Sequence, residues 1–224
     1  MDDKLFDAHA KTYNECLAAN TKWVSNDIGY FAEHKVLQMK HHMSASPMRV
    51  LDYGCGIGRN IPYLAKHFPK ALFSGCDISV GSLEVAEKEN PNAKFFVSGK
   101  GIHVGQFDLI IVSNVFHHIE PEERGQVVDE LKQLLTPDGN LFVFEHNPYN
   151  PLTRYLVKRI PFDEDAQLVT AHVLAKLFHM RGYELIRSKY TMFFPQWASK
   201  LSPIEPYLGW LPMGAQYFIQ VKKG

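Results

Sequence analysis

The sequence predicts an α/β fold in which helices cover both faces of a parallel sheet. One observation is that short apolar segments alternate with segments whose apolar residues recur at helical spacing. A second is the run VLDYGCGIGRN, residues 50–60, in which three glycines follow a strand-like segment and precede a helical one. At 224 residues, with 46% hydrophobic residues, the chain is expected to form one soluble domain.

Strand and helix signals follow one another from residue 49 onward. Strands are predicted at residues 49–53, 71–77, 94–97, 107–113 and 140–145. Helices are predicted at residues 61–68, 83–89 and 127–135. Ser79 is the predicted N-cap of the second of these helices, and Pro137, Asp138 and Gly139 predict a turn before the fifth strand.

The two ends of the chain differ from this regular centre. The first forty residues have the apolar spacing of helices. The last third contains a helical stripe at residues 169–177 and two strand-like segments at 183–194 and 216–222. A long apolar connection, residues 193–213, joins these two strands, and connections of this length are typically functional or mobile.

Charge and composition exclude several classes of partner. Lys and Arg together number 24, as do Asp and Glu, and the basic residues are scattered, so no nucleic-acid partner is predicted. The first ten residues are acidic and polar, and the three cysteines lie far apart, so we expect a cytoplasmic protein. The longest central apolar run, 107–116, is well short of the ~18 residues of a membrane span. Monomer and homodimer both remain open.

The glycine loop indicates a nucleoside cofactor. Asp52 precedes the three glycines, whereas the dinucleotide spacing G-x-G-x-x-G requires a glycine at the position of Arg59. A carboxylate ahead of the glycines disfavours a pyrophosphate and favours a sulfonium, so S-adenosylmethionine is the predicted cofactor. Asp77, at the end of the second strand, is predicted to accept hydrogen bonds from ribose hydroxyls.

Three runs, VLDYGCGIGRN, GCDIS and FDLIIVSNVFHHI, resemble the motif series of class I S-adenosylmethionine-dependent methyltransferases that act on small molecules. The resemblance implies a Rossmann-like three-layer sandwich. Its seven-stranded sheet is parallel except for one antiparallel strand from the terminal hairpin. The resemblance also implies that Asp52, Gly54, Gly56 and Gly58 hold the methionine part of the cofactor, and that Asp77 holds its ribose.

The same resemblance divides the single domain into three parts. Residues 1–45 are expected to form a helical lid, residues 47–146 the cofactor-binding core, and residues 147–224 the acceptor side. Members of this family often carry an acidic residue after strand three that meets the adenine, but this chain has none there. Ser98 is expected to meet the adenine instead, and Ser113 is also predicted to contact the cofactor.

Three histidines follow strands four and five, at the edge of the sheet where the cofactor is predicted. A hydroxyl acceptor must lose a proton during methyl transfer, and histidine is the natural base near neutral pH. His146 is the first candidate for this catalytic role and His118 the second; the alternative is that each only packs beside the cofactor. The predicted acceptor contacts are Tyr13, His117, Asn150 and Arg154.

Two of these predictions carry alternatives. Arg154 and Arg159 either bind an anionic group of the acceptor or pair at the surface with acidic residues nearby, among them Asp163. The neighbours His117 and His118 are not expected to bind a metal, because side chains of adjacent extended residues diverge and no third ligand is evident.

The tail of the chain suggests an acceptor class. The runs EHNPYNPLTR and GWLPMGAQYFIQVKK resemble small methyltransferases of bacterial glycan and surface-polysaccharide synthesis, which implies a hydroxyl of a sugar or lipid-linked metabolite. The apolar residues of 193–213 fit an acceptor pocket, a surface that touches a membrane, or a cover for the core. A non-catalytic S-adenosylmethionine-binding regulatory module stays open, as does an NAD-dependent oxidoreductase, although the chain lacks a Tyr-x-x-x-Lys pair.

Overall fold

The computed structural model describes residues 25, 27, 29–99, 105–160, 163 and 166–224. The helical face predicted before residue 25, including the acceptor contact Tyr13, lies outside these residues. Of the predicted lid, the structure therefore describes one helix, α1 (Gly29–His42).

One sheet of seven strands organises the described chain, in the order β3-β2-β1-β4-β5-β7-β6. The strands are β1 (Arg49–Tyr53), β2 (Leu72–Asp77), β3 (Lys94–Val97), β4 (Phe107–Ser113), β5 (Leu135–His146), β6 (Tyr183–Thr191) and β7 (Gln216–Lys223). Strand β7 runs antiparallel to both of its neighbours, and the remaining pairs are parallel. The predicted seven-stranded sheet with one antiparallel strand is confirmed.

Helices cover both faces of this sheet, as predicted. They are α2 (Ile61–His67), α3 (Val80–Glu89), α4 (Arg124–Leu134), α5 (Pro151–Val157), α6 (Ala171–Met180) and α7 (Glu205–Leu208). Short 3₁₀ segments occupy Phe116–His118 and Gln196–Ile204. Ser79 caps α3 as predicted, because its hydroxyl accepts the backbone N–H of Ser82 at 3.0 Å.

Strand β4 shows why the core has two halves. Ile110 and Val112 point to a cluster that includes residues of α4 and α6, whereas Leu109 and Ile111 point to a cluster that includes residues of α1 and α2. All four side chains are fully buried. Alternation along a strand sends successive side chains to opposite faces, so an unbroken apolar run marks a strand covered on both sides.

Strand β5 begins five residues earlier than predicted. Its pairing with β4 shifts register between Phe107 and Leu109, opposite the proline and glycine that predicted a turn. A bulge accommodates such residues without ending the strand.

The connection between β6 and β7 exposes large aromatic side chains. Trp197, Tyr207 and Trp210 are 79%, 78% and 77% exposed, so these three do not cover the core. In the part of the chain that the structure describes, no helix has both the length and the apolar character needed to cross a bilayer.

Candidate functional site

A cavity of about 220 Å³ lies at the carboxyl ends of the central strands. Helices α1 and α5 contribute apolar side chains to its wall, among them Phe31 and Leu156. The predicted site residues that line it are Gly54, Gly56, Asp77, Ser113, His118 and His146. The parallel strands therefore bring together residues that are far apart in the sequence, as expected for the edge where open α/β sheets bind ligands.

The glycine loop is anchored to the end of β2. The backbone N–H of Gly54 donates to the carbonyl of Cys76 at 2.8 Å, and the N–H of Gly56 donates to Oδ2 of Asp77 at 2.8 Å. The other carboxylate oxygen of Asp77 accepts the N–H of Ser79 at 3.0 Å. Burial raises the pKa of Asp77, although these backbone donors oppose the rise. Asp77 thus fixes the loop while its side chain lines the cavity.

The glycines of this loop have different surroundings. Gly54 and Gly56 have φ values of 70° and 51°, which disfavour any other residue. A Cβ on Gly54 would lie 2.4 Å from a methyl group of Val115, whereas a Cβ on Gly56 would meet no atom of the described residues within 4 Å. Gly58 packs against Asn90 instead and does not line the cavity. Gly56 is therefore the position at which the loop backbone faces open space.

Asp52 lies behind the cavity wall and holds the side chain of Asn60, which forms part of that wall. Both carboxylate oxygens of Asp52 accept hydrogen bonds of 3.1 Å from the side-chain amide of Asn60, which does line the cavity. Asp52 is fully buried, and burial raises the pKa of its carboxyl to about 7 against the opposing hydrogen bond from Asn60. The sequence identified the carboxylate but not the amide that it positions.

Lys35 is a buried cation that the sequence analysis missed. It extends from α1 into the cavity wall, where its ammonium group donates to the hydroxyl of Ser113 at 2.6 Å. Burial and, to a smaller extent, the positive charge of Arg59 together lower the pKa of Lys35 to about 8. A lysine within a helical segment has no sequence signal that separates it from a surface lysine.

The 3₁₀ segment after β4 brings two histidine rings together. The centroids of His117 and His118 are 4.1 Å apart, so the expectation that these side chains diverge was wrong. That expectation assumed an extended backbone, whereas the chain turns here. Nδ1 of His117 lies 2.6 Å from Oε2 of Glu145, and Oε1 of Glu145 accepts the backbone N–H groups of Val115 and Phe116 at 3.0 and 2.7 Å.

Asp163 approaches the same two histidines from the segment after α5. Its Oδ1 lies 3.1 Å from Nε2 of His118 and 3.6 Å from Nε2 of His117. Burial lowers the pKa of His117, but the carboxylates of Glu145 and Asp163 outweigh burial and raise it to about 9. Asp163 is thus a third group beside the two histidines that the sequence did not reveal.

His146 ends β5 and lines the cavity beside this cluster. Its ring centroid is 5.2 Å from that of His117. Burial lowers the pKa of His146 to about 4, and the positive charge of His117 contributes in the same direction. The imidazole of His146 is therefore neutral near pH 7, with one ring nitrogen able to accept a proton.

Three other predicted site residues lie away from the cavity lining. Asn150 is the N-cap of α5, and its side chain also donates to the carbonyl of Met213 at 2.7 Å. Arg154 is exposed on α5. Ser98 lies after β3, where its backbone N–H donates to the carbonyl of Asp77 at 3.0 Å.

Gln216 is a further cavity residue that the sequence analysis missed. Its amide nitrogen donates to Oδ1 of Asn114 at 3.3 Å, and Asn114 has a positive φ of 58°. The buried Oε1 of Gln216 has no hydrogen-bond partner among the described residues. Gln216 lines the cavity, but this oxygen is buried beneath the cavity surface, so it meets a ligand only when the side chain moves.

The central part of the chain is similar to a known family. Residues 51–141 match the family described as "Methyltransferase domain". A malonyl-[acyl-carrier protein] O-methyltransferase of Legionella pneumophila is 28% identical over 144 residues, which is 62% of this chain and 47% of that protein. The chain spans about half the length, or less, of the first curated relatives that it matches.

Solved structures show the same fold over almost the whole chain. A TehB-like SAM-dependent methyltransferase of Corynebacterium glutamicum is 18% identical with a TM-score of 0.65, covering 97% of this chain and 99% of that one. The plantazolicin methyltransferase solved in complex with SAH is 17% identical with a TM-score of 0.65, covering 99% of this chain and 95% of that one.

The buried carboxyl of Asp52 predicts a specific pH dependence of stability. The pKa of Asp52 is about 7 in the folded chain and about 3.9 in the unfolded chain. The protonated carboxyl therefore contributes its full share to the free energy of unfolding below about pH 4, and this share is lost as the pH rises to 7. Relative to Asp52→Asn, the wild type should lose up to roughly 1.4 kcal/mol of unfolding free energy per pH unit in this range. Urea unfolding at several pH values measures the difference.

The exposed residue Asp138 supplies the matched control for this measurement. The free energy of unfolding of Asp138→Asn should change with pH in the same way as that of the wild type. A constant difference between wild type and Asp52→Asn from pH 4 to 7 would contradict the buried, protonated carboxyl.

Proposed function

We propose that this chain carries a class I S-adenosylmethionine-dependent methyltransferase domain. In this proposal it transfers a methyl group from S-adenosylmethionine to a small-molecule acceptor. One observation carries the proposal. The open face of the glycine loop at Gly56 and the carboxylate of Asp77 line the same cavity as His118 and His146. Groups suited to a nucleoside cofactor and groups suited to handling a proton therefore share one site.

The residues present fit the cofactor. Among the residues that the structure describes, none places an atom within 4 Å of a would-be Cβ on Gly56, so the loop backbone can approach a ligand closely. In this proposal Gly54 and Gly56 hold the methionine part, with Asp52 acting through Asn60, and Asp77 holds the ribose. S-adenosylmethionine supplies an electrophilic methyl group on a sulfonium.

In this proposal Ser98 contacts the adenine. Ser113 contributes to the cofactor site through its hydrogen bond with Lys35. The cavity wall formed by α1 supports the proposal that residues 1–45 act as a lid. In the same proposal, residues 47–146 form the cofactor-binding core and residues 147–224 form the acceptor side.

The acceptor in this proposal presents a hydroxyl group. His146 is neutral near pH 7 and lines the cavity, where it would take the hydroxyl's proton. The side chains of His118 and Gln216 line the same cavity and would position the acceptor. The two named relatives carry names that refer to different acceptors, so the class is argued from this chain alone. A sugar or lipid-linked metabolite in the cytoplasm is the proposed source. The exposed Trp197, Tyr207 and Trp210 support contact with its lipid part.

Gly56 offers a direct test of the cofactor assignment. In Gly56→Leu, the side chain would enter the open space of the cavity, and affinity for S-adenosylhomocysteine should fall at least about tenfold, a loss of roughly 1.4 kcal/mol. Isothermal titration calorimetry measures this affinity. Gly182→Leu is the control, because Gly182 also has a positive φ of 73° but lies outside the cavity lining. Equal affinities of the two variants would remove Gly56 from the cofactor site.

Turnover tests the proposed reaction. The purified chain is incubated with methyl-deuterated S-adenosylmethionine and pools of hydroxylated small molecules, and products are detected by mass. His146→Ala should lower kcat by about 10²-fold to 10⁴-fold and leave the affinity for S-adenosylhomocysteine unchanged, because a base acts on the acceptor. His172→Ala, at an exposed position of α6, is the control. Unchanged turnover in His146→Ala would exclude it as the base, and absence of labelled product from every pool would count against methyl transfer.

A further inference from the structure

We infer that His117, His118 and Asp163 form a site for a divalent transition-metal cation of the zinc type, in the wall of the cavity. Binding of the cation does not depend on the proposed methyl transfer. Its use, to hold the oxygen of the acceptor, rests on that proposed function. Three features support this site: the distances between its ligand atoms, the ring nitrogen Nε2 of His117, and the carboxylates around the two histidines.

The distances match those of a small tetrahedral site. One ligand atom from each of the three residues lies within 4.8 Å of the others. Oδ1 of Asp163 is 3.1 Å from Nε2 of His118 and 3.6 Å from Nε2 of His117. Zinc bonds to nitrogen and oxygen are roughly 2.0–2.2 Å long, which places two ligands of a tetrahedral ion about 3.4 Å apart. The two separations from Asp163 lie on either side of this value, and the two histidine nitrogens lie within 4.8 Å of each other, so a cation would draw the two rings together as it binds.

The unpartnered atom is Nε2 of His117. This histidine is fully buried, and its Nε2 has no hydrogen-bond partner among the described residues, since 3.6 Å to Asp163 exceeds hydrogen-bond length. Its other nitrogen, Nδ1, faces the carboxylate of Glu145 at 2.6 Å. Metal-binding histidines almost always donate their second N–H to a carboxylate, a backbone carbonyl or water, which fixes the ring and directs the other nitrogen to the metal.

Charge favours a cation at the same point. The carboxylates of Glu145 and Asp163 approach His117 from its two ring nitrogens. A bound divalent ion would replace the proton of His117 as the positive charge between these two buried carboxylates. Two nitrogens and one carboxylate oxygen are also a donor set that zinc and related ions bind, in preference to the all-oxygen sets of calcium and magnesium.

The cavity gives the cation an entrance and a further ligand. His118 and Asp163 line the cavity, while His117 is buried behind them. Three protein ligands leave a fourth position, as in catalytic zinc sites, and the acceptor's hydroxyl oxygen is placed to fill it from the cavity. A bound cation lowers the pKa of such a hydroxyl. The hydroxyl's proton would pass to His146, whose ring centroid lies 5.2 Å from that of His117. The oxygen would then bond to the methyl group as the bond from methyl to the sulfonium sulfur breaks.

Metal titration tests the site directly. The chain is stripped with a chelator and titrated with Zn²⁺ by calorimetry and with Co²⁺ by visible absorption, without cofactor or acceptor. One ion per chain should bind, and the Co²⁺ spectrum should be that of a tetrahedral ion. His118→Gln and Asp163→Asn should each weaken Zn²⁺ binding at least about tenfold. His172→Gln, at an exposed histidine of α6, should bind Zn²⁺ as the wild type does.

Two results would overturn the inference. One is no binding of either metal to the wild type. The other is equal Zn²⁺ affinity in the wild type and in both site variants, since the 11 histidines of the chain also offer surface ligands. Circular dichroism checks that each variant is folded, and His118→Gln, at a partly exposed position, carries the test if Asp163→Asn does not fold. Since the titration contains no cofactor, its failure and a failure of methyl transfer are separate results.

Discussion

The buried carboxylate of Glu145 determines the geometry on which the histidine side of the site depends. It stands near the end of β5, yet it accepts the backbone N–H groups of Val115 and Phe116, which follow β4. Burial alone would raise the pKa of Glu145, but the charge and hydrogen bond of His117, together with the backbone donor of Phe116, outweigh burial and lower it, so the carboxylate is ionised. The bonds turn the chain at the end of β4 so that the rings of His117 and His118 converge. Charge-assisted bonds of this kind are about twice as strong as neutral ones.

The cofactor side is held by a second carboxylate in the same manner. Asp77 ends β2 and accepts the N–H of Gly56, which follows β1. In both places a carboxylate at the end of one strand fixes the loop that follows the neighbouring strand in the sheet. The site is therefore a property of the sheet edge, where strand ends that are distant in sequence meet, and the helices contribute residues such as Lys35 to its outer wall.

The parts of the fold that depend on local patterns could be predicted from the sequence. Strands β1, β3 and β4 have the predicted bounds, because apolar runs and the glycine turn are local signals. The partners inside the site could not be predicted. Lys35 meets Ser113 across 78 positions, and Asp163 reaches His118 from a different segment, so neither contact leaves a trace in the local pattern. The histidine pair was misjudged because its backbone turns where an extended strand end was assumed.

The glycine loop and Asp77 are proposed to form the site for S-adenosylmethionine. Calorimetric titration of the purified chain with S-adenosylhomocysteine, and with NAD under matched conditions, tests this proposal most directly. Binding of S-adenosylhomocysteine at one site per chain, with no heat from NAD, is the result that the structure predicts. Binding of NAD alone, or of neither compound, would contradict the assignment of the loop.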